Sequence, residues 1–432
     1  MNKKPDIQKS KLLLDRALKV IPKGTQTASK CYNQLVYGVH PIFIEKAKGC
    51  YVWDVDGNKY IDYMMSLGPI ILGYNHKRTN AVIKEQLKNG IIFSLPHRLE
   101  VELAELLCEI IPCAEMVRFG KNGSDVTSIA VRVARHCTGK DYVLSPEGGY
   151  HGWSDTFCAA SARNYGMPEI MKGLVERFPY NNLVELESKL QTGKFGCLIM
   201  EPTLLEAPKE GFLRGARELC TKYGAVLIFD EMVTGFRWAL GGAQEYYDVI
   251  PDLATFGKAV ANGMPISILV GKKEYMSALE DVFFSGTYLG ETLSIAAAIE
   301  TIKELKENKD IIYKYIWENG KLAQDAFNKC CSDLKIPGKM VGLGPVFNIK
   351  FDIEDGLGAK DLFHQEMVKH GIFWGNIIYV TYAHTEKDIQ KTIKAIKKSL
   401  KVVSKAIKYN DIDNKLEGER SSTIFVRTKI KD

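Results

Sequence analysis

The chain has 432 residues, 46% of them hydrophobic and 25% charged, with a net charge of +6 from 58 basic and 52 acidic side chains. These values are ordinary for a soluble globular protein and allow two or three domains. The first ten residues, MNKKPDIQKS, lack an apolar signal core, and no apolar run is long enough to span a bilayer. Ten cysteines without a CxxC spacing argue against a metal site and predict reduced thiols in a cytoplasmic protein.

The first 64 residues predict one helix followed by β hairpins. Apolar residues recur at helical spacing over residues 7–20, and short β runs begin at Ile42. The dipeptide Asp56-Gly57, between alternating apolar residues, is a strong hairpin signal. We expect residues 1–64 to belong to a small α+β domain.

A change in the pattern of strand-like and helix-like runs predicts that residues 316–432 complete this small domain. Short strands are followed there by a helix near 360–370 and an amphipathic helix over 386–408. The lysines of the second helix are most simply its solvated face. Because no aromatic residues interleave with them, a nucleic-acid surface is a much weaker interpretation, and we expect neither a nucleic-acid nor a membrane partner.

Residues 65–315 predict a larger α/β domain. Strand-like and helix-like runs alternate from about Val117 to Val270, which indicates a mostly parallel sheet covered by helices. One apolar run of this domain, 225–229, ends in the acidic pair Asp230-Glu231, and Lys258 follows a second short run.

These two strand ends suggest a cofactor site, because chemistry collects at the carboxyl ends of parallel strands. A lysine can form a Schiff base with pyridoxal phosphate (PLP), and a carboxylate can keep its pyridine nitrogen protonated. The alternative is that Asp230 caps a turn and Lys258 is solvated, which is the commoner role of each residue taken alone.

Two glycine-containing turns favour the cofactor interpretation. A strand, the turn 120–125 and a helix through about His136 make a ready anion site, although such turns are often plain helix caps, here by Ser124 or Asp125. Glycines also flank Tyr150-His151, where a flat aromatic ring could stack on a cofactor. A tyrosine packed at a turn explains that second motif equally well.

Seven motifs are spread over nearly the whole sequence: YVWDVDGNKYIDY, GPIILG, VRVAR, GGYHG, LIFDEMVTGFRWALGGAQEYY, PDLATFGK and AHTEKDI. With them the chain resembles the fold-type I, class III PLP-dependent aminotransferases, and within that family it is most similar to the glutamate-1-semialdehyde 2,1-aminomutases. The resemblance implies a large domain on a seven-stranded type of sheet and a small α+β domain built from both termini.

The resemblance also implies a role for each matching position. Lys258 would hold PLP as the Schiff base and then move the substrate proton, and Asp230 would pair with the pyridine nitrogen. The other implied cofactor contacts are Gly123 and Ser124 at the phosphate, Tyr150 on one ring face with His151 beside it, Met232 on the other face, Glu201, and Glu206. Thr287, after Gly286, would reach the phosphate of a neighbouring subunit, which implies a homodimer.

Several positions depart from the aminomutase pattern, and most belong to the expected substrate shell. Thr27 and Lys30 replace the Ser and Arg that receive the substrate, and Leu67 replaces a Trp. Glu206 stands where Asn is usual, and the gating segment after YHG is shortened to about 157–179. A shortened lid would let an intermediate leave.

The first functional hypothesis is therefore an aminotransferase that uses an amino-acid donor such as glutamate and an aldehyde or keto acceptor, in specialised or sugar-related biosynthesis. The alternative is the aminomutase itself, an isomerase that makes 5-aminolevulinate. A third hypothesis, a catalytically silent homologue, is disfavoured by the intact pair Asp230 and Lys258.

Overall fold

We describe residues 3–162, 164–203 and 206–422 of a computed structural model of the chain. The chain forms two compact units. The small unit contains the described residues up to His76 and from Lys314 onward, and the large unit contains Lys77–Tyr313. The domain boundaries expected after residues 64 and 315 remain predictions, and residues 1, 2 and 423–432 of the expected small domain lie outside the described residues.

The strands follow one another along the chain as β1 (Ile44–Lys48), β2 (Tyr51–Asp54), β3 (Lys59–Asp62), β4 (Met116–Gly120), β5 (Tyr142–Pro146), β6 (Val175–Phe178), β7 (Phe195–Met200), β8 (Val226–Asp230), β9 (Leu253–Phe256), β10 (Ser267–Gly271), β11 (Gly338–Leu343), β12 (Val346–Phe351), β13 (Ile372–Phe373) and β14 (Ile378–Tyr379).

The α-helices are α1 (Gln8–Val20), α2 (Lys77–Asn89), α3 (Arg98–Ile110), α4 (Gly123–Thr138), α5 (Asp155–Ala159), α6 (Glu169–Lys172), α7 (Leu183–Leu190), α8 (Phe212–Tyr223), α9 (Ala243–Tyr247), α10 (Lys273–Met276), α11 (Thr292–Glu307), α12 (Lys309–Asp333), α13 (Gly356–Lys369), α14 (Glu386–Lys408) and α15 (Ile412–Lys415).

The large unit is built on a sheet with the strand order β4-β10-β9-β8-β7-β5-β6. Strand β10 runs antiparallel to both of its neighbours. The remaining pairs, from β9 through β8, β7 and β5 to β6, are parallel. The α/β fold with a mostly parallel sheet that the alternating pattern predicted is therefore confirmed.

Strand β8 lies at the centre of this sheet because its sequence is apolar up to the last residue. All five of its residues are buried. Helix α8 ends just before it at Gly224, whose φ of +61° is the left-handed conformation that glycine adopts readily at a helix end. The parallel register with β9 pairs Asp230 with Thr255, so both side chains lie at the same edge of the sheet.

The small unit contains two sheets, with the strand orders β1-β2-β3-β13 and β11-β12-β14. The predicted hairpin connects β2 and β3, and Gly57 in its turn has a φ of +92°. Strand β13 pairs in parallel with β3, with Ile372 opposite Ile61. The carboxyl-terminal segment therefore joins the amino-terminal hairpins, as the sequence predicted.

The interpretation of residues 157–179 as one gating segment is wrong in part. Its last residues form β6, which pairs in parallel with β5 at the edge of the large sheet. The sequence of β6, VERF, carries two charged residues among four, so it gives only a weak strand signal. Arg163, within the same segment, lies outside the described residues.

In the described part of the chain, no helix is long and apolar enough to cross a membrane. Within those same residues, no cluster of three or more His, Cys, Asp and Glu side chains could hold a metal ion.

Candidate functional site

The core of the candidate site is a buried carboxylate and imidazole pair at the end of β8. Asp230 and His151 are both 2% exposed, and His151 Nδ1 lies 2.7 Å from Asp230 Oδ2. The other carboxylate oxygen, Oδ1, accepts from the Met232 backbone N–H at 3.1 Å and from Thr255 Oγ1 at 3.3 Å. These three contacts fix the orientation of the carboxylate.

Two residues that sequence analysis missed extend this pair into a relay. Ser145 Oγ lies 3.0 Å from His151 Nε2, and Arg177 NH1 donates to Ser145 Oγ at 2.9 Å. Because the Arg177 guanidinium can only donate, Ser145 Oγ accepts from it and directs its own hydrogen at His151 Nε2. The imidazole therefore carries its hydrogen on Nδ1, which donates to Asp230. The relay thus fixes the imidazole tautomer and orients the carboxylate.

Only one of these two residues had a signal in the sequence. Ser145 directly follows the predicted strand run Tyr142-Val143-Leu144, and its position at a strand end could have indicated a site residue. Arg177 lies in β6, which the sequence did not reveal as a strand. Burial lowers the pKa of the Arg177 guanidinium, and the negative charges of Glu147 and Glu201 oppose that shift.

Lys258 lies two residues beyond the end of β9, at the start of a 3₁₀ turn. Its φ of +44° is in the left-handed region, which costs a residue with a Cβ about 1–2 kcal/mol. Such strain in a non-glycine residue is typical of functional sites. The turn is packed tightly, because a Cβ on Gly257 would lie 2.8 Å from Met232 Sδ.

Met232 also contacts the amino-terminal turn of α4, where a Cβ on Gly123 would lie 3.1 Å from the same sulfur. Helix α4 is capped by Asn122, and Asp125 completes a capping box, so the alternative of Ser124 or Asp125 as the cap is wrong. Asn122 was a less obvious cap because it lies one residue before the glycine.

The Ser124 side chain faces the loop that carries His151. Its hydroxyl accepts from the Trp153 backbone N–H at 3.0 Å, and Gly152, with a φ of +105°, approaches it so closely that a Cβ would overlap Ser124 Oγ. This close approach leaves no space for a side chain at position 152 beside the amino-terminal turn of α4.

Tyr150 is 47% exposed, and its backbone N–H donates to Glu201 Oε1 at 3.2 Å. The Tyr150 ring is therefore accessible to a flat ligand, while buried Glu201 holds its backbone. Glu206 is exposed and accepts from Asn181 Nδ2 at 3.1 Å, which places its carboxylate on a surface contact. Thr287 is exposed, and its side chain makes no hydrogen bond with the residues that the structure describes.

Glu231, next to Asp230, has a structural role. It is fully buried, and its oxygens accept from the backbone N–H groups of Ala243 at 2.7 Å and Gln244 at 2.9 Å, and from the Thr234 hydroxyl. Burial raises the pKa of the Glu231 carboxyl to about 7, although these donors oppose the shift. The two acidic residues of the motif thus serve different purposes.

The expected substrate residues Thr27, Lys30 and Leu67 all lie in the small unit. Thr27 precedes a 3₁₀ turn that ends at Lys30, an exposed side chain. Leu67 is half-buried and is the last of three successive non-glycine residues with positive φ, at 43°, 56° and 72°, which Gly68 follows at 104°.

Buried Asp62 holds this left-handed turn in place. Its carboxylate accepts from the Met64 backbone N–H at 2.7 Å and from the Tyr74 hydroxyl at 2.7 Å, and the Tyr74 hydroxyl lies 3.1 Å from Ser66 Oγ. Burial raises the pKa of Asp62 to about 6, against the opposing effect of these donors and of Lys30.

Comparison with known proteins gives a consistent result. The sequence profile of the family described as Aminotransferase class-III matches residues 33–400. Glutamate-1-semialdehyde 2,1-aminomutase 2 of Lachnoclostridium phytofermentans is 38% identical over 418 residues, which cover 89% of this chain and 97% of that protein. The 3-aminobutyryl-CoA aminotransferase of Cloacimonas acidaminovorans is 37% identical, with coverage of 91% and 97%. Among solved structures, the PLP form of the FumI protein of Sphingopyxis sp. MTA144 superimposes with a TM-score of 0.85 at 28% identity, with coverage of 92% and 97%.

Proposed function

Because this chain belongs to the class-III aminotransferase family, we propose that it transfers an amino group from an amino-acid donor, with glutamate as the first candidate, to an aldehyde or keto acceptor. The family uses PLP, and the chain is similar both to an aminomutase and to an aminotransferase. The observation that supports a catalytic role most directly is the Asp230–His151 pair at the same sheet edge from which the Lys258 turn begins.

The residues of the large unit fit PLP. Asp230 offers an oriented anion to the protonated pyridine nitrogen, and His151 keeps that anion in place. The amino-terminal end of α4 at Gly123 and Ser124 suits the phosphate. When bound, PLP supplies an electron sink for the carbon next to the amino nitrogen.

The remaining roles concern this chain's own side chains. In the proposal Lys258 would hold PLP through its amino group and would move the proton to and from the substrate carbon. The exposed Tyr150 ring and the Met232 side chain would hold the flat ring of the cofactor and exclude water from it. Glu201 acts through the Tyr150 backbone, to which it is hydrogen-bonded.

The substrate residues favour aminotransfer over the mutase reaction. Lys30 offers a point charge where aminomutases have the two-pronged guanidinium of arginine, which suits a different anion geometry. Leu67 and Glu206 also differ from the aminomutase pattern. The carbonyl acceptor of the reaction, in specialised or sugar-related biosynthesis, would then have a shape unlike glutamate-1-semialdehyde.

One spectroscopic experiment separates the two reactions. The PLP-loaded protein is mixed with glutamate alone, and the cofactor spectrum and released 2-oxoglutarate are measured together. Aminotransfer predicts one equivalent of 2-oxoglutarate per site and full conversion of the cofactor to pyridoxamine phosphate. Steady formation of 5-aminolevulinate from glutamate-1-semialdehyde without any donor would instead establish the mutase. The Lys258→Ala variant is the control and should not attach PLP covalently.

We also propose a homodimer in which Thr287 serves the cofactor phosphate of the other subunit. Large apolar side chains are exposed on two segments of the large unit, including Leu95 at 79%, Phe283 at 75% and Tyr288 at 64%. Residues of both segments line one surface groove, among them Pro96 and Gly286. Large exposed apolar side chains on two segments that line one groove are typical of a subunit interface.

Subunit mixing tests this arrangement. Lys258→Ala and Thr287→Asp variants should each be nearly inactive as homodimers. If Thr287 acts across the interface, their mixed dimer has one intact site, and mixing should restore activity. If the mixture stays as inactive as its parents, although mixed dimers form, Thr287 does not act across subunits.

A further inference from the structure

Helix α13 of the small unit carries buried polar side chains, whose partners come from the end of the described chain. Asp361 is 2% exposed and accepts from the backbone N–H and the hydroxyl of Ser421, at 2.8 Å and 2.7 Å. Gln365 is fully buried, and its Oε1 accepts from the Glu417 backbone N–H at 2.7 Å. We call residues 416–422 the strap. Without the strap, these buried side chains would lose hydrogen-bonding partners, which is costly for a buried polar group.

Ion pairs add to these contacts at the exposed edge of the strap. Arg420 donates to both carboxylate oxygens of Asp355, at 2.8 Å and 2.7 Å, and to Asp413 at 2.7 Å. Lys369 donates to the Glu417 carboxylate at 2.5 Å. The Arg420 and Asp355 side chains are 37% and 38% exposed, so water and salt weaken the attraction between them.

The strap also holds the segment 33–37 of the small unit. Tyr37 and Glu419 exchange two backbone hydrogen bonds, at 3.1 Å and 2.8 Å, and the Asn33 carbonyl accepts from the Ser422 backbone N–H at 2.8 Å. Segment 33–37 lies outside the strands of both sheets of the small unit. The strap therefore supplies backbone partners that a sheet would otherwise provide.

Segment 33–37 contributes to the lining of a cavity of about 330 Å³ in the small unit. Gln34 and Leu35 of this segment line the cavity, together with Cys31 just before it. Gln34 also contacts the strap, since its Nε2 donates to the Ser422 carbonyl at 3.3 Å. The strap is therefore bonded to the backbone and to a side chain that form one wall of this cavity.

Little apolar surface holds the strap in place. Its sequence is LEGERSS, in which Leu416 is the only large apolar side chain, and Leu416 packs against a core cluster of the small unit. Apolar burial is the main favourable term in folding, whereas the net contribution of each hydrogen bond is modest and ordering the backbone costs conformational entropy. Release of the strap should therefore cost much less free energy than unfolding of the whole unit.

We propose that the strap is a releasable closure of this cavity. In the docked state the strap holds segment 33–37 as the cavity wall. In the released state this segment moves outward and opens the cavity, while α13 and the sheets stay folded. The end of the chain thus controls access to the interior of the small unit. This closure involves the small unit alone and goes beyond the proposed amino-group transfer, on which it does not depend.

Two buried thiols distinguish release of the strap from unfolding of the unit. Cys31 is 5% exposed and lines the cavity, whereas Cys50 is 1% exposed and lies outside the cavity lining. The full-length protein is treated with iodoacetamide, and the labelling rate of each cysteine is measured by peptide mass spectrometry. A buried thiol reacts when its surroundings open. In the wild type Cys31 should react at least ten-fold faster than Cys50, which corresponds to an opening that costs about 1.4 kcal/mol less.

Gly418→Ala and Glu419→Ala are a matched pair of variants in the full chain. A Cβ on Gly418 would lie 2.2 Å from the Tyr37 carbonyl oxygen, so Gly418→Ala should prevent docking. Glu419 is exposed and bonds to Tyr37 through its backbone, so Glu419→Ala should leave the strap docked. Gly418→Ala should raise the labelling rate of Cys31 about ten-fold and leave that of Cys50 unchanged, whereas Glu419→Ala should match the wild type.

The same measurements can overturn the inference. If Cys31 and Cys50 react at equal rates in the wild type, the strap is released only when the unit unfolds. If Gly418→Ala accelerates both thiols equally, the strap belongs to the cooperative core and is not a separate closure. If Gly418→Ala accelerates neither thiol, or if Glu419→Ala accelerates Cys31 as much, docking of the strap backbone does not close the cavity.

Discussion

Ser145→Ala is the substitution that most directly tests the relay behind Asp230. Ser145 is fully buried and connects two groups, Arg177 NH1 at 2.9 Å and His151 Nε2 at 3.0 Å. Arg177 keeps one acceptor, the Pro146 carbonyl at 3.1 Å. His151 Nε2 would lose its hydrogen bond to Ser145. A buried nitrogen atom without a hydrogen-bonding partner lowers the free energy of unfolding by about 1–3 kcal/mol.

The loss of the hydrogen bond from the charged guanidinium adds to this cost. Such bonds contribute about 1.5–3 kcal/mol, part of which the Pro146 carbonyl retains. We therefore expect the free energy of unfolding to fall by about 2–4 kcal/mol. With its tautomer no longer fixed, His151 should orient Asp230 less well, and the affinity for PLP should fall about ten-fold or more, which corresponds to about 1.4 kcal/mol.

Two measurements check these values, urea unfolding of the PLP-free protein and equilibrium dialysis with PLP. Thr301→Val is a matched control, because Thr301 is equally buried and its hydroxyl makes one hydrogen bond, to the Ala297 carbonyl within α11. It should lose about 1 kcal/mol of stability and no PLP affinity. If Ser145→Ala matches this control in both measurements, the relay does not orient Asp230.

Three further predictions concern the phosphate end, the buried acid of the small unit and the substrate charge. Gly152→Ala should weaken PLP binding at least ten-fold in dialysis, because its Cβ would overlap Ser124 Oγ. Gly148→Ala in the same loop is the control, since Gly148 has a φ of +75° and nothing lies within 4 Å of its Cβ. The control should lower the free energy of unfolding through backbone strain alone and leave the affinity for PLP unchanged. Folding raises the pKa of Asp62 from 3.8 to about 6, so the folded protein holds this proton more tightly than the unfolded chain does. Loss of the proton should therefore lower the free energy of unfolding by about 3 kcal/mol as pH rises from about 4 to above 6. Urea titrations at pH 4 and pH 7 should therefore show a smaller loss for Asp62→Asn than for wild type, and equal losses would contradict the raised pKa. Lys30→Arg should raise kcat/KM for glutamate-1-semialdehyde about ten-fold, because a guanidinium can bind a carboxylate through two hydrogen bonds, and an unchanged value would exclude Lys30 from carboxylate recognition.

Sequence patterns were most informative where one local period dominates. The helix expected over 386–408 is α14, Glu386–Lys408, because its apolar residues repeat at helical spacing and Thr385 with Asp388 forms a capping box at its start. The run that ends at Asp230 is β8, because a short, wholly apolar segment preceded by a glycine is typical of a strand that is buried on both faces. Such features depend on neighbouring residues alone.

Features that depend on distant residues were beyond the sequence. The insertion of β10 between β4 and β9, antiparallel to both, follows from which strand edges remain available once the sheet forms. The short strand β6 is stabilised by pairing with β5 and has a weak pattern of its own. Pairing of that kind is a property of the assembled sheet.

The candidate site shows the same division. By itself the sequence determined that an aspartate and a lysine, Asp230 and Lys258, each follow a strand, because strand ends are local properties, and only the structure showed that β8 and β9 are neighbours in the sheet. Only the tertiary structure decided that Ser145 contacts His151 Nε2 and that Arg177 donates to Ser145. A buried polar side chain needs a hydrogen-bonding partner, and that partner is chosen by the packing of strands that are distant in the chain.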